Sequence, residues 1–278
     1  MQLCHQNTQI TELVNDWHAQ GRVVAFVPTM GGLHQGHLSL IDIAKQKADK
    51  VIVSIFVNPA QFGKNEDLDS YPRTLNTDLV VLETNVDGIF IPDVKQIYPN
   101  GIGKHIDVGK IGKILCGKTR PHFFNGVAQV VEILFGIVRP DVAVFGQKDY
   151  QQLLVIKQMV KSLSLDICIK SGEIIREKSG LAMSTRNQYL SENEAKIATN
   201  LYKILFYLKC EILQNKKIDA LKQLAEFDLK KHFKLDYLEV LDANTLRQIT
   251  DNTHQIIILS AVLLGSVRLI DNIIFKKG

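Results

Sequence analysis

The sequence predicts an α/β fold, a Rossmann-like parallel sheet with helices on both faces, followed by a smaller C-terminal α+β domain. Three observations predict it. Short β-branched runs alternate with segments of helical apolar spacing along the first part of the chain. Those runs are apolar at nearly every position, as strands covered on both faces are. Past about residue 169 the alternation gives way to two long helical patterns and then three strand-like runs.

The elements follow in order. Residues 23–27 read as a strand ending at Pro28, and after a glycine pair residues 38–48 carry helical spacing of apolar side chains. Residues 51–57 read as a buried strand, 77–84 as a helix, 88–91 as a strand, 127–138 as a helix, 142–145 as a strand and 150–163 as a helix. Ligands of such sheets bind beyond the carboxyl ends of the strands, so the loops after Val27, Val57 and Phe145 are expected to converge. Residues 191–214 read as a helix capped by Ser191, with Glu194 in the capping-box position, and 221–233 as another. Residues 236–241, 255–259 and 267–270 read as strands of the smaller domain, which places the division at 1–172 and 173–278.

With 278 residues, 46% of them hydrophobic, the chain can bury two unequal cores. A formal charge of +4 with 22% charged residues, and no basic stripe interleaved with aromatics, implies no nucleic-acid partner. Cys4, Cys116, Cys168 and Cys210 are scattered without metal or disulfide spacing, which fits a reducing cytoplasm. The first eleven residues are polar and do not read as a secretory signal. The most apolar tract, 256–270, is interrupted by Ser260, Gly265, Ser266 and Arg268, so it reads as two buried strands and no membrane association is expected.

Four loops carry groups suited to chemistry. TMGGLHQGH at 29–37 follows the first strand: Gly31 and Gly32 let backbone approach an anion, and the helix start favours phosphate. His34 and His37, three apart, fall on one face of the first turn and can donate to a phosphoryl group as charge grows on it. A polar helix start with two solvated histidines would show the same spacing; position directly after a strand and a glycine pair favours the functional reading. FVNPAQF at 56–62 sets Asn58 and Gln61 just past the next strand, where amides suit a substrate bearing hydroxyls or a carboxylate, although loop-capping amides fit equally. FGQKDYQQ at 145–152 offers Gly146 for close approach, Lys148 as a point charge for phosphate, Asp149 for ribose hydroxyls and Gln152 one turn into the helix. LAMSTRN at 181–187 clusters two hydroxyls and a guanidinium near the domain boundary, where a linker with a capping serine is the alternative to a loop closing on a nucleotide.

A competing signal is GKILCGKT at 112–119, which matches the P-loop pattern letter for letter. That loop must join a buried strand to a helix start holding the phosphates. Residues 105–110 make a weak strand at best, and Arg120, Pro121 and the pair Phe123 and Phe124 oppose a helix beginning at Lys118. The match is read as accidental.

Taken in this order, 28–37, 56–62, 145–152 and 183–187 resemble the hallmark motifs of the pantothenate synthetase family. The resemblance extends over nearly the whole chain, including DSYPRT at 69–74, RPD at 139–141 and LIDN at 269–272. More distantly, the histidine pair and the MSTR loop resemble the signature motifs of class I aminoacyl-tRNA synthetases. The family resemblance implies an ATP-dependent ligase that condenses pantoate with β-alanine through a pantoyl adenylate, releasing pyrophosphate and AMP. It implies a nucleotide- and pantoate-binding first domain, a lid-like second domain and a cytoplasmic homodimer. By matched position, Met30, Gly31, Gly32, Leu33, His34, Gln35, Gly36 and His37 would embrace the ATP phosphates, with His37 as proton donor and His34 beside it. Gln61, Gln152 and Asn58 would hold pantoate, and Gln61 would also meet β-alanine. Gly146, Gln147, Lys148 and Asp149 would bind adenosine and phosphate, and the Ile175 backbone adenine. Met183, Ser184, Thr185 and Arg186 would clamp the triphosphate, with Lys148 and Arg186 counted among the catalytic groups.

The chain departs from the family in three places. Thr77 and Asp78 stand where it usually has an acidic pair, which leaves the Mg²⁺ contact to Asp78. Thr185 replaces a serine, and Phe123 stands where a histidine is expected, with His122 one residue early. Two rival readings are a nucleotidyltransferase that stops at the adenylated product and a nucleotide-binding regulator without turnover. An amide-lined second substrate pocket at Gln61 and Gln152 favours the ligase.

Overall fold

The computed structural model describes residues 1–64, 66–103 and 106–277. Contacts divide the chain into two compact units, one of Met1–Gln147 and Gln151–Glu173, the other of Lys148–Tyr150 and Ile174–Gly278.

In the first unit the strands are β1 (Gln2–Cys4), β2 (Val24–Thr29), β3 (Lys50–Ile55), β4 (Gly88–Phe90), β5 (Val142–Gly146) and β6 (Cys168–Gly172). All pair in parallel, in the order β1-β4-β3-β2-β5-β6. Between them run α1 (Asn7–Ala19), α2 (Gln35–Lys45), α3 (Leu75–Leu82), α4 (Val94–Ile97), α5 (Cys116–Thr119), α6 (Phe123–Val138) and α7 (Tyr150–Ser162). Alternate residues of a strand point to opposite faces, and β2 shows both faces covered. Ala25 and Val27 pack with Leu40, Ile41 and Ala44 of α2, whereas the Phe26 ring between them meets Phe135 of α6 at 6.4 Å. Each of these large side chains, fully withdrawn from water, stabilises by about 1.5–3 kcal/mol.

The strand order reverses between β2 and β5, so ligands of this sheet are expected in the crevice there. Pairing of β2 with β5 stops at Phe26 and Ala143, whereas pairing with β3 continues to Thr29 and Ile55. Pro28 lies inside β2, one residue before the Thr29 carbonyl that accepts from Phe56 on the β3 side. Its missing N–H therefore falls on the β5 side, where no ladder bond is needed, and Pro28 is tolerated within a central strand.

The second unit is a three-stranded antiparallel sheet, β7 (Lys234–Asp242), β8 (Gln255–Leu264) and β9 (Val267–Lys276), with α8 (Glu192–Leu213) and α9 (Ile218–Lys230). Leu201, Leu205, Leu208 and Leu229 of the helices share a core with Ile256, Ile258 and Val262. The expected capping box is present: Ser191 Oγ accepts from the Glu194 N–H at 3.3 Å, and Glu194 Oε2 accepts from the Ser191 N–H at 2.9 Å. The 256–270 tract is the β8–β9 hairpin, turning at Gly265 with φ +57. No helix among the described residues is long and apolar enough to cross a membrane.

Candidate active site

The loop after β2 is shaped by one buried carboxylate. Gly31 and Gly32 take φ of +81 and +63, a left-handed turn that suits glycine. This turn aims the Gly32 and Leu33 N–H groups at Asp78, whose Oδ2 and Oδ1 accept at 2.9 and 2.8 Å. Thr74 Oγ1 donates to Oδ2 as well, at 3.1 Å. Two expectations change. The Gly32 and Leu33 amides point to an internal anion, so they are not the phosphate donors of this loop. Asp78, 2% exposed, has both oxygens engaged by the chain, and it does not fit the Mg²⁺ contact assigned to it.

The histidines are arranged by helix capping. Helix α2 begins at Gln35, three residues earlier than its apolar spacing suggested, with His34 as N-cap in extended conformation (φ −142, ψ 175). The two rings therefore do not share a helical turn; they meet through a reciprocal cap, with centroids 4.2 Å apart. His34 Nδ1 accepts from the Gly36 N–H at 3.1 Å, and His37 Nδ1 accepts from the His34 N–H at 3.3 Å. A backbone N–H can only donate, so each Nδ1 is unprotonated and each neutral ring carries its proton on Nε2. The cap thus turns both imidazoles into Nε2–H donors at a helix N-terminus, where negative charge is favoured.

After β3, the 3₁₀ turn Pro59–Gln61 carries the two amides. Asn58 Oδ1 accepts from the Ala60 N–H at 3.1 Å and the Tyr98 hydroxyl at 2.6 Å. Its Nδ2 donates to Gln61 Oε1 at 3.2 Å and to the Gly126 carbonyl at 3.1 Å. Both hydrogens are committed and Oδ1 has two donors, which makes Asn58 a group that holds Gln61 and not the direct substrate contact expected of it. Gly126 is required for this approach, because a Cβ there would stand 2.1 Å from the Ala60 carbonyl oxygen. Gln61 Nε2 points to Met30 Sδ at 2.8 Å, bringing the pair from the first two motifs together. Arg120 closes the far side of the loop, donating to the Gln61 carbonyl at 3.2 Å and to Glu66. Phe123, at the position where the resemblance led to an expected histidine, lies under the Arg120 guanidinium at 3.8 Å. His122 lies against Gly63, its ring 3.0 Å from the position of a Cβ on that glycine.

The stretch that matches a P-loop has another explanation. Within 105–110, His105 lies outside the described residues and 106–110 form no strand. Contrary to expectation one helical turn, α5, does include Lys118, which is exposed. The glycines serve packing: a Cβ on Gly117 would sit 1.9 Å from the Gly112 carbonyl oxygen. Buried Gln151 ties the segment down, donating to the carbonyls of Ile111 and Ile114 at 2.7 Å and accepting from the Cys116 N–H at 3.1 Å.

The loop after β5 divides between the units. Gly146 has open space around it, with Leu40 the nearest neighbour to a Cβ at 3.8 Å. Gln147 donates to Ser171 Oγ at 3.3 Å, and Gln152 is half-buried in the first turn of α7. In the second unit Lys148 Nζ lies 4.0 Å from the Asp149 carboxylate, and the Lys148 carbonyl accepts from Asn272 Nδ2 at 3.0 Å. The Ile175 carbonyl is bound by the Met183 N–H at 3.0 Å. Ser184 Oγ accepts from the Arg186 N–H at 3.3 Å and caps the 3₁₀ turn Thr185–Tyr189. Arg176, which the sequence did not single out, pairs with Ala182 across a short hairpin, 176–182, and donates to the Gly180 carbonyl at 3.1 Å. It donates to both Asp271 oxygens at 2.6 and 2.9 Å, and it stacks on Tyr202 at 3.8 Å. Asp271 and Asn272, adjacent on β9, thereby hold both the 176–182 hairpin and the Lys148 turn. Among the described residues no group of three or more His, Cys, Asp or Glu could hold a metal ion.

A parallel sheet with a histidine-capped helix start beside its switch point and an amide pair on the next loop defines an α/β enzyme of the nucleotide-using class. The model of the family described as pantoate-beta-alanine ligase matches residues 2–274. The chain is 84% identical over 278 residues to the pantothenate synthetase of Ruthia magnifica subsp. Calyptogena magnifica, covering 100% of both. It superimposes on the pantothenate synthetase structure from Thermus thermophilus with a TM-score of 0.92 at 37% identity, covering 98% of this chain and 99% of that one. It matches the pantoate-beta-alanine ligase of Francisella tularensis, solved with beta-gamma ATP and beta-alanine, with a TM-score of 0.81 at 36% identity over 100% and 98% of the chains. The chain belongs to the pantoate-beta-alanine ligase family.

Proposed function

We propose that this ligase, which condenses pantoate with β-alanine in an ATP-dependent reaction, works through a pantoyl adenylate, with its two capped histidines stabilising the pyrophosphate that leaves as the adenylate forms. The observation that carries the reading is the reciprocal cap: it fixes Nε2–H on His34 and His37, two donors suited to an oxygen gaining negative charge. In the first step a pantoate carboxylate oxygen attacks the α-phosphorus, and the bond to the bridging oxygen breaks to release pyrophosphate. His37, with His34 beside it, meets the charge on that leaving group. Lys148 and Arg186 offset the repulsion between two anions, and no protein nucleophile is needed. In the second step the neutral amine of β-alanine attacks the acyl carbon, the amide bond forms, the amine gives up a proton and AMP leaves.

Gln61 and Gln152 bind pantoate and Asn58 acts through Gln61. Gly146, Gln147 and Asp149 meet the nucleotide, and Met183, Ser184 and Thr185 meet its phosphates. Ile175 contributes through its backbone N–H, since its carbonyl is engaged by Met183. Magnesium is carried by the triphosphate as its counter-ion, and Asp78 serves the glycine turn. Cytoplasmic location and a homodimer complete the reading, the first supported by four cysteines that form no disulfide.

Pantoate-dependent exchange of labelled pyrophosphate into ATP tests it. His37→Ala is expected to abolish exchange and Lys118→Ala to retain most of it; the reverse would restore the P-loop reading. Exchange without AMP release on adding β-alanine would indicate a nucleotidyltransferase, and no exchange with any hydroxy acid a regulator.

A further inference from the structure

We propose that Tyr98 is a positioning residue for pantoate recognition, acting through Asn58 to make Gln61 present its amide nitrogen, and not its oxygen, to the substrate. The proposal rests on the reading that Gln61 lies in the pantoate site.

Two backbone groups settle the polarity of the chain of amides. The Ala60 N–H can only donate and the Gly126 carbonyl can only accept, so the Asn58 oxygen faces Ala60 and its nitrogen faces Gly126. Tyr98, 2.6 Å from that oxygen, must then be the donor. Burial pushes its phenol above the ordinary value, against the smaller opposite effect of the Asn58 bond, so the hydroxyl keeps the proton it donates. The remaining Asn58 hydrogen goes to Gln61 Oε1 at 3.2 Å, which occupies the Gln61 oxygen and turns its NH₂ outward to Met30 Sδ. A thioether is a weak acceptor. A carboxylate or hydroxyl oxygen of a hydroxy acid is a stronger one, and the NH₂ is directed to receive it. Tyr98 and Asn58 are 6% and 1% exposed, so water cannot replace the phenol without rearrangement. Without Tyr98 the Asn58 oxygen keeps only the Ala60 N–H, so the polarity set by Ala60 and Gly126 stands but Asn58, and Gln61 behind it, is held less tightly in the geometry that meets the substrate.

Tyr98→Phe keeps the ring and removes the hydroxyl. In steady-state assays of the full chain it is expected to raise the KM for pantoate about tenfold, as loss of one buried hydrogen bond does. The KM for ATP and the kcat should stay near native, and the melting temperature should fall by no more than about 2–4 °C. Gln61→Glu tests the same polarity without touching Tyr98: it exchanges NH₂ for an acceptor oxygen, and pantoate affinity should fall by a hundredfold or more. The proposal is overturned if Tyr98→Phe leaves the pantoate KM within twofold of native. It is overturned equally if all KM values rise together with a lowered melting temperature, or if Gln61→Glu binds pantoate normally. Gln61→Ala separates the two levels: an unchanged pantoate KM there sinks the placement of Gln61 itself, whereas a raised one beside a normal Tyr98→Phe sinks only the role of Tyr98.

Discussion

Replacing Asp78 distinguishes a turn-holding carboxylate from a metal ligand. Its oxygens accept from Gly32 at 2.9 Å, Leu33 at 2.8 Å and Thr74 at 3.1 Å, and bonds to a charged acceptor contribute about 1.5–3 kcal/mol each. Asp78→Asn preserves shape but sets an NH₂ against one of the two amide N–H groups. One charge-assisted bond is lost and a donor is left without an acceptor, a destabilisation of about 2–3 kcal/mol. At roughly 2–4 °C per kcal/mol for a chain of this size, the melting temperature should fall by about 5–10 °C. The Mg²⁺ concentration for half-maximal pyrophosphate exchange should not move in the molecules that remain folded. Calorimetry on the full chain and a Mg²⁺ titration of exchange measure the two quantities separately. An unchanged melting temperature with a tenfold or greater shift in the Mg²⁺ requirement would refute the reasoning and return Asp78 to the metal.

Three further outcomes follow from the geometry. Gly117→Ala should destabilise the 112–119 segment, because its Cβ would meet the Gly112 carbonyl oxygen at 1.9 Å; Gly136→Ala, in α6 with nothing within 4 Å, should stabilise by about 0.5–1 kcal/mol, and denaturant titration compares them. Asp271→Asn leaves the Arg176 guanidinium partly buried without its counter-charge and should destabilise by about 3–5 kcal/mol, with faster proteolysis of the 176–182 hairpin as the local readout. Burial raises the Glu66 carboxyl, but the hydrogen bond and charge of Arg120 outweigh it and hold it below 4.5. Its stabilisation is therefore present above pH 4.5 and is lost as the pH falls through the lower folded value, and Glu66→Gln should flatten that part of the stability profile measured by thermal unfolding.

The central strands were legible because they are apolar runs of a kind that only a sheet covered on both faces accommodates. Strand β6 was not, since Cys168 to Gly172 is mostly half-exposed at a sheet edge and carries no such run. Helix α1 buries only Ile10, Val14 and Trp17, a stripe too sparse in a polar segment to stand out as a helical pattern. Helix α2 begins three residues before its apolar spacing does, because its first turn holds glycine and histidine in place of Leu or Ile.

The fold class, the two buried strands within 256–270 and the Ser191 capping box were legible in the sequence, because these depend on local periodicity, caps and residue type. Tertiary structure alone decided what each polar group does. Asp78 meets Gly32 and Leu33 from more than forty positions away, Tyr98 meets Asn58 across forty, and Arg176 meets Asp271 across ninety-five. A hydrogen bond depends on where two groups stand in space, and a buried carboxylate or amide looks the same in a sequence whether it awaits a ligand or already holds the backbone.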